Sequence, residues 1–349
     1  MATDREPIPF DSVVITAFGG PEGPDDVIPF LENVTRGRGV PRERLDEVAE
    51  QYLQFGGRSP LNDQIRELVA ALRTELQIHG PDLPIYWGNR NWDPYLTDTM
   101  AQMAADGRRR SLAISTSAYG GYSGCRQYRE DIERARTAVG TTAPEVEKIR
   151  PYYDHPGFIS PMAHAVAQAL VTMSAEEGDR ARLLFTAHSI PVAMAESSVY
   201  PAQIRRAAEL VLAKLGRPGE PDVVWQSRSG PPQVPWLEPD INDRLEQLIA
   251  DGVDTVVVVP VGFTSDHMEV IYDLDTQARA TADRLGLKLV RTGTAGTDPE
   301  FVAGLRDLVV EHIAIDQLRL ELDLTGPRPA PGECHPGCCR PPAGRPVRP

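Results

Sequence analysis

The stretch TVVVVPV, residues Thr255–Val261, decides the fold class of this chain. It is an unbroken apolar run of mostly β-branched residues, which is typical of a strand buried on both faces. Strands of this kind occur in parallel sheets that helices cover on both sides. Six further runs have the same character: Ser12–Phe18, Pro84–Gly88, Ser111–Thr116, Arg182–Ala187, Val223–Ser227 and Leu287–Arg291.

Amphipathic helical patterns lie between these runs. In one of them Ile65, Leu68 and Leu72 recur at helical spacing, and in another Thr297 and Glu300 stand at the spacing of a capping box. Alternating strands and helices predict an α/β fold with parallel sheets. We expect one domain over residues 1–150, a second over 151–325, and a Pro/Gly-rich irregular tail over 326–349.

Composition excludes several classes of protein. The chain has 349 residues and a net charge of −14, which disfavours binding to nucleic acid or to an anionic membrane. The longest apolar run, Val253–Phe263, is shorter than the roughly 20 residues of a membrane span and contains Asp254. Residues 1–9 show no apolar signal region. We therefore expect a cytoplasmic protein without stable membrane insertion.

His188 is the first candidate for chemistry. It directly follows the strand Arg182–Ala187, and in open α/β sheets ligands bind beyond the carboxyl ends of the strands. An imidazole there can take up and release protons near neutral pH. A hydrogen-bonded structural histidine is an equally good interpretation of the position alone.

A second group follows the strand Thr255–Val261. Glu269, Asp273 and Gln277 are spaced four residues apart, which places them on one face of a helix. Their oxygen atoms suit a hard divalent cation. An acidic first turn that favours the helix dipole is the simpler explanation, and His267 beside it is more typical of a structural partner.

Two other features are weaker. The turn Phe18–Pro21 lacks the glycine spacing of a dinucleotide site, which disfavours a nicotinamide or flavin enzyme. Arginines, hydroxyls and tyrosines suit the binding of carboxylates if they share one cleft. The candidates are Arg36, Arg38, Tyr52, Arg58, Ser59, Tyr119, Tyr122 and Ser123.

The cysteines predict a metal centre. Cys334, Cys338 and Cys339 lie close together in the tail, and the fourth cysteine is Cys125. Four thiolates in a cytoplasmic protein suit a [2Fe–2S] cluster, with a structural zinc site as the alternative and His335 as a substitute ligand.

Taken together, the motifs resemble the ferrochelatase family, and in particular its actinobacterial members that use coproporphyrin III. The resemblance covers nearly the whole chain up to about residue 325. The segments that carry it are Ala17–Pro21, Thr35–Arg38, Gln51–Tyr52, Gly56–Leu61, Phe185–Pro191, Gln226–Gly230, Trp236–Pro239 and Val261–Glu269.

The resemblance implies two Rossmann-like domains with four-stranded sheets, a final helix that packs back on the first domain, and a porphyrin between the domains. It implies insertion of Fe²⁺ into coproporphyrin III to give coproheme, with His188 as proton acceptor and Glu269 assisting. His188, Glu269 and Asp273 would handle the substrate Fe²⁺. The implied porphyrin contacts are Phe18, Arg36, Tyr52, Arg58, Ser59, Tyr119, Tyr122 and Ser123.

Other functions stay open on the sequence. They are a protoporphyrin IX ferrochelatase, a cobalt or nickel chelatase, a non-catalytic tetrapyrrole-binding or metal-binding protein, and a redox protein that uses the cysteines. We expect the protein to be a monomer. We also expect it to pass coproheme to a downstream decarboxylase.

Overall fold

The structure, a computed structural model, describes residues 9–230 and 233–321 together with Cys339. These residues form two four-stranded parallel sheets. The predicted α/β class with two parallel four-stranded sheets is therefore confirmed. Apart from Cys339, the tail predicted over residues 326–349 lies outside the described residues.

The first sheet defines the N-terminal half of the molecule, and the second sheet defines the C-terminal half. The first has the spatial order β2-β1-β3-β4, and its strands are β1 (Ser12–Ala17), β2 (Ile85–Asn89), β3 (Arg110–Ser115) and β4 (Glu145–Lys148). The second has the order β6-β5-β7-β8, and its strands are β5 (Arg182–His188), β6 (Asp222–Gln226), β7 (Thr255–Val259) and β8 (Lys288–Arg291).

Helices cover the sheets, and two of the helical segments have π geometry. The α-helices are α1 (Pro24–Val34), α2 (Arg42–Leu53), α3 (Leu61–His79), α4 (Leu96–Ala105), α5 (Gln127–Val139), α6 (Pro156–Val171), α7 (Ala175–Arg180), α8 (Val192–Glu196), α9 (Tyr200–Lys214), α10 (Ile241–Ala250), α11 (Met268–Val270), α12 (Arg279–Leu285) and α13 (Pro299–Glu321). The π-helices are π1 (Tyr122–Arg126) and π2 (Ile271–Ala278).

The strand pattern of the sequence matches the burial of the strands. Every residue of β7 is buried, and so is every residue of β1 and β3. Strand β7 ends before Pro260, which has no N–H to donate to a neighbouring strand. The sequence pattern missed β4, because this short edge strand carries Glu145, Glu147 and Lys148 and is only partly buried.

Helix α13 joins the two halves. It packs against α3 of the N-terminal half and against α6, and Arg306 Nη1 lies 3.0 Å from Glu75 Oε1. One hydrophobic cluster contains Ile15 of the first sheet, Val257 of the second sheet and Leu305 of α13. The two sheets therefore share a core, and the boundary near residue 150 stays a prediction. None of the helices in the described ranges has the length and apolar character that a bilayer span needs.

We expect Gly157→Ala to lower the thermal stability of the protein. A Cβ at this position on α6 would lie 2.7 Å from Glu300 O and 2.7 Å from Gly304 Cα on α13. Such overpacking costs about 1–3 kcal/mol, or a few degrees of Tm. A matched control is Gly178→Ala on α7, where the nearest atom outside the helix is 3.6 Å away. Thermal scans that give both variants the wild-type Tm would contradict close packing of α6 on α13.

Candidate active site

Strand β5 places His188 at its carboxyl end. Leu184 and Ala187 are fully buried in the strand, whereas the imidazole of His188 is one-third exposed, at 33%. Its Nδ1 lies within hydrogen-bond distance of the backbone oxygen of Ser189. Because a carbonyl oxygen only accepts hydrogen bonds, the neutral ring carries its proton on Nδ1. The lone pair of Nε2 is then available to accept a proton.

Glu269 faces this nitrogen from helix α11, which follows the neighbouring strand β7. Strand β7 pairs with β5 in parallel, so the carboxyl ends of both strands lie at one edge of the sheet. A loop over residues 260–267 leads from β7 to α11, which carries Glu269. His188 Nε2 lies 3.6 Å from Glu269 Oε2. The structure therefore brings together the two side chains that the sequence predicts as catalytic, while their roles stay a prediction.

Asp273 lies on π2 rather than on the α-helix that the spacing predicts. Its Oδ2 accepts hydrogen bonds from the Ser227 hydroxyl and from Gln226 Nε2, the latter at 3.4 Å. Burial raises the pKa of Asp273 to about 6, and the nearby negative charge of Glu269 acts in the same direction. π-Helices are rare and occur often at functional sites. Gln277, the third member of the predicted stripe, is exposed.

The arrangement is a pair of facing groups with a third carboxylate behind it. Within the described ranges no three side chains of His, Cys, Asp or Glu are grouped as metal ligands. His188 and Glu269 face each other, whereas Asp273 is held by residues at the end of β6. The predicted Fe²⁺ ligands are therefore not arranged as a closed three-ligand site.

His267 completes this edge of the sheet. Its Nδ1 lies 4.0 Å from Glu269 Oε2, and its ring packs edge-on against Phe263 at 5.1 Å between centroids. Burial lowers the pKa of His267, and the charge on Glu269 opposes that shift only in part. His267 is therefore neutral near pH 7 and adds no positive charge to the pair.

Aromatic side chains of the N-terminal half form a cluster around Phe30. The charge of Glu269 contributes, after burial, to the raised pKa of Tyr52, which places α2 beside the pair. Phe18 is 40% exposed after β1, and Phe30 packs edge-on against both Phe18 and Tyr52. Two predicted porphyrin contacts, Phe18 and Tyr52, thus belong to one aromatic cluster.

The arginines and Ser59 differ in their surroundings. Arg36 and Arg38 are exposed in the segment that follows α1. Arg58 pairs with Asp63 through two nitrogens, with a shortest N···O distance of 2.6 Å. The Ser59 side chain is buried and accepts a hydrogen bond from the backbone N–H of Leu61. Both Arg36 and Arg38 are exposed on the α1 side, and their contact with porphyrin carboxylates stays a prediction.

The remaining predicted porphyrin contacts follow β3. Tyr119 is buried and donates a hydrogen bond to the backbone oxygen of Val261. Tyr122 is buried with its hydroxyl 3.0 Å from Glu130 Oε2, and Ser123 is exposed at the start of π1. Tyr119 therefore connects the two halves in the interior, and its role as a porphyrin contact stays a prediction.

The two residues that donate hydrogen bonds to Asp273 were not among the predicted site residues. They are Ser227 and Gln226, which hold Asp273, and Ser227 has a positive φ of 61°, unusual for a residue other than glycine. The signal was present in the sequence, because both residues lie at the end of a predicted strand. The rule that identified His188 applies to them equally.

The predicted [2Fe–2S] cluster is contradicted. Cys125 and Cys339 are both buried, but the described residues contain no group of three or more potential metal ligands. Cys125 lies in π1, where its backbone N–H bonds to Gly121. Cys334 and Cys338 lie outside the described residues. The spacing of thiols along a chain does not determine whether the fold brings them to one point, and nothing supports the zinc alternative either.

Comparison with known proteins gives the family. The family model for ferrochelatase matches residues 11–313. The chain belongs to the ferrochelatase family. A coproporphyrin III ferrochelatase of Nocardia farcinica is 52% identical over 346 residues, with 95% of this chain and 97% of the relative covered. Another, of Streptomyces coelicolor, is 52% identical, with 87% and 86% covered.

Solved structures agree on the fold. The SirB structure from Bacillus subtilis with Fe³⁺ has a TM-score of 0.54 at 10% identity and covers 88% of this chain and 97% of its own. Both the resemblance to the ferrochelatase family and the prediction of a porphyrin metal chelatase are confirmed by the family match. The cluster prediction finds no support in the names of these relatives, which state only the reaction.

We expect Asp273→Asn to raise Tm more at neutral than at acidic pH. The pKa of Asp273 is raised from 3.8 to about 6, so the folded protein binds this proton more tightly than the unfolded chain does. The ionised carboxylate therefore destabilises the fold increasingly as the pH rises from 3.8 to about 6. Asparagine removes that effect.

Thermal scans at about pH 7.5 and about pH 4.5 measure the difference. Asp283→Asn, at an exposed position on α12, is the matched control for the loss of an aspartate side chain. An Asp273→Asn effect that is the same at both pH values would contradict the raised pKa.

Proposed function

We propose that this protein inserts Fe²⁺ into coproporphyrin III and releases Fe-coproporphyrin III, that is, coproheme. The observation that carries the proposal is the 3.6 Å approach of His188 Nε2 to Glu269 Oε2 in a chain of the ferrochelatase family. An imidazole with a free lone pair and a carboxylate facing it are the groups that the reaction needs, because a porphyrin must lose both pyrrole N–H protons as the metal enters.

His188 is the proposed proton acceptor. Its Nδ1 is held by the backbone oxygen of Ser189, so Nε2 takes the pyrrole proton. The ring then becomes positively charged, and the carboxylate of Glu269 at 3.6 Å stabilises that charge. The second N–H proton leaves through Glu269 or solvent, so that one Fe²⁺ replaces both protons.

Glu269 also assists the handling of Fe²⁺. Its side chain is 54% exposed, so a hydrated ion can reach its oxygens before it meets the porphyrin. Carboxylate and imidazole ligands replace water lost from the ion. Asp273 acts from behind Glu269, because Ser227 and Gln226 already hold its Oδ2. An open pair suits an ion that must leave again within the product.

We propose that the porphyrin lies in a cleft between the two halves. In this arrangement Phe18 and Tyr52, which both pack against Phe30, would offer an aromatic wall from the N-terminal half. A ring held against such a wall and bent by the cleft would point its nitrogen lone pairs toward the ion. The domain boundary near residue 150 belongs to this proposal.

Coproporphyrin III is favoured over protoporphyrin IX by the similar relatives, which are named as coproporphyrin III ferrochelatases. The exposed Arg36 and Arg38 beside α1 can meet the additional carboxylates of this porphyrin. The segment over residues 120–124 contains three glycines and a serine and offers no apolar lip. The downstream decarboxylase, the monomeric state and the cytoplasmic location stay predictions.

We expect His188→Ala to reduce the rate of Fe²⁺ insertion by about a hundredfold or more while porphyrin still binds. The loss follows because the other imidazole beside Glu269, that of His267, has its Nδ1 farther from Glu269 Oε2, at 4.0 Å, and packs against Phe263. An anaerobic metallation assay measures turnover, and quenching of porphyrin fluorescence measures binding.

His79→Ala, at an exposed position at the end of α3, controls for the loss of a histidine. Turnover retained in His188→Ala would remove the proton-acceptor role. A wild-type protein that binds porphyrin without metallating it would support the non-catalytic binding protein instead. Preferential insertion of Co²⁺ or Ni²⁺ in the same assay would show that the substrate metal is not Fe²⁺ and would support the cobalt or nickel chelatase alternative.

We expect kcat/KM for coproporphyrin III to exceed that for protoporphyrin IX by about tenfold or more, because each additional ion-paired carboxylate contributes to binding. Arg36→Ala should narrow the difference by raising KM for coproporphyrin III alone. Steady-state kinetics with both porphyrins test this. Equal kcat/KM values would favour the protoporphyrin alternative.

A further inference from the structure

Two tyrosine hydroxyls are bonded to the backbone segments that carry the catalytic pair. Tyr200 OH donates a hydrogen bond of 3.1 Å to the backbone oxygen of His188. Tyr119 OH donates one of 2.6 Å to the backbone oxygen of Val261, which lies in the connection between β7 and Glu269. Neither residue's hydroxyl has a part in the proton transfer described above.

The rings of these two tyrosines contact each other. Tyr119 and Tyr200 pack edge to face, with centroids 5.9 Å apart and an interplanar angle of 87°. Tyr119 is 2% exposed and also packs against Phe158. Tyr119 and Tyr200 together form the tyrosine brace. Because interior aromatic rings are close-packed, a displacement of one ring is transmitted to the other.

The brace connects different parts of the chain. Tyr119 follows β3 of the N-terminal half and bonds to a residue 142 positions away, and Tyr200 begins α9 of the C-terminal half. The backbone N–H of Gly120 also donates a 2.6 Å hydrogen bond to Gln203 on α9. The segment that carries Tyr119 is therefore attached to the element that carries Tyr200.

The connection after β7 has further attachments to the N-terminal half. Thr264 Oγ1 donates to the backbone oxygen of Thr116 at 3.1 Å, and the backbone N–H of Asp266 donates to Gln64 Oε1 at 2.9 Å. Glu269 thus projects from a segment whose backbone is fixed by residues of the other half. His188 is attached through Tyr200, which belongs to the C-terminal half.

We propose that Tyr119 and Tyr200 are positioning residues that set the separation between His188 and Glu269 through the backbone carbonyls they bind. The inference rests on the proposed function and deepens it, because it assigns the geometry of the pair to tyrosine hydroxyls that bind backbone carbonyls. Displacements of about 1 Å in a reacting pair can cost up to about a hundredfold in rate.

The experiment compares three Tyr→Phe variants that keep the ring and remove the hydroxyl. Tyr200→Phe and Tyr119→Phe each remove one attachment of the pair. Tyr152→Phe is the matched control, because Tyr152 is also 2% exposed and donates a 2.8 Å hydrogen bond to the backbone oxygen of Ser115 on β3, a strand that leads to neither His188 nor Glu269. Each of the three changes removes one hydrogen bond from a tyrosine hydroxyl to a backbone oxygen, which is buried for Tyr119 and Tyr152 and part-buried for Tyr200.

We expect kcat for Fe²⁺ insertion to fall about tenfold in Tyr200→Phe and Tyr119→Phe, with KM for coproporphyrin III within about twofold of wild type. Tyr152→Phe should lose a similar amount of thermal stability and keep the wild-type kcat. A fall in kcat of the same size in Tyr152→Phe, or no fall in either brace variant, would overturn the proposal.

A crystal structure of Tyr200→Phe provides a readout that does not depend on turnover. We expect the distance from His188 Nε2 to Glu269 Oε2 to increase from 3.6 Å, and an unchanged distance would overturn the proposal. Should the wild-type protein show no metallation, the proposed function fails, and this distance alone decides on the brace. If the wild-type protein metallates the porphyrin and both brace variants keep its kcat, the proposed function stands and the positioning role of the two tyrosines is rejected.

Discussion

The parallel pairing of β5 with β7 is the constraint on which the site depends. Because the two strands are neighbours and run in the same direction, their carboxyl ends lie at one edge of the sheet. His188 ends one strand, and the connection to Glu269 leaves the other. An imidazole and a carboxylate that are far apart in sequence thereby come within 3.6 Å.

Burial of the second sheet makes that edge rigid. Strand β7 is fully buried, and its Val257 belongs to a cluster that also includes residues of the first sheet and of α13. Close-packed interiors resist small displacements, so the ends of the strands have little freedom. His188 and Glu269 are therefore partly exposed side chains on a closely packed backbone, which suits the proton exchange that we propose for this pair.

The two carboxylates that follow β7 lie in different electrostatic environments. Glu269 is half-exposed and faces His188, whereas Asp273 is enclosed by π2 and the end of β6, and burial raises its pKa to about 6. Hydrogen bonds from Ser227 and Gln226 hold Asp273 in place. Two acidic residues four positions apart thus have different environments, and we propose different parts for them in handling protons and iron.

The sequence by itself determined the α/β class, seven of the eight strands and the positions of His188 and Glu269, because burial on both faces and the ends of strands are local features of the chain. Only the tertiary structure decided the rest. It showed π2 in place of an α-helix, Tyr119 inside the protein with its hydroxyl on Val261, and no grouped metal ligands among the described residues. These features depend on contacts between distant segments, such as the 142 positions between Tyr119 and Val261, and no local pattern encodes such contacts.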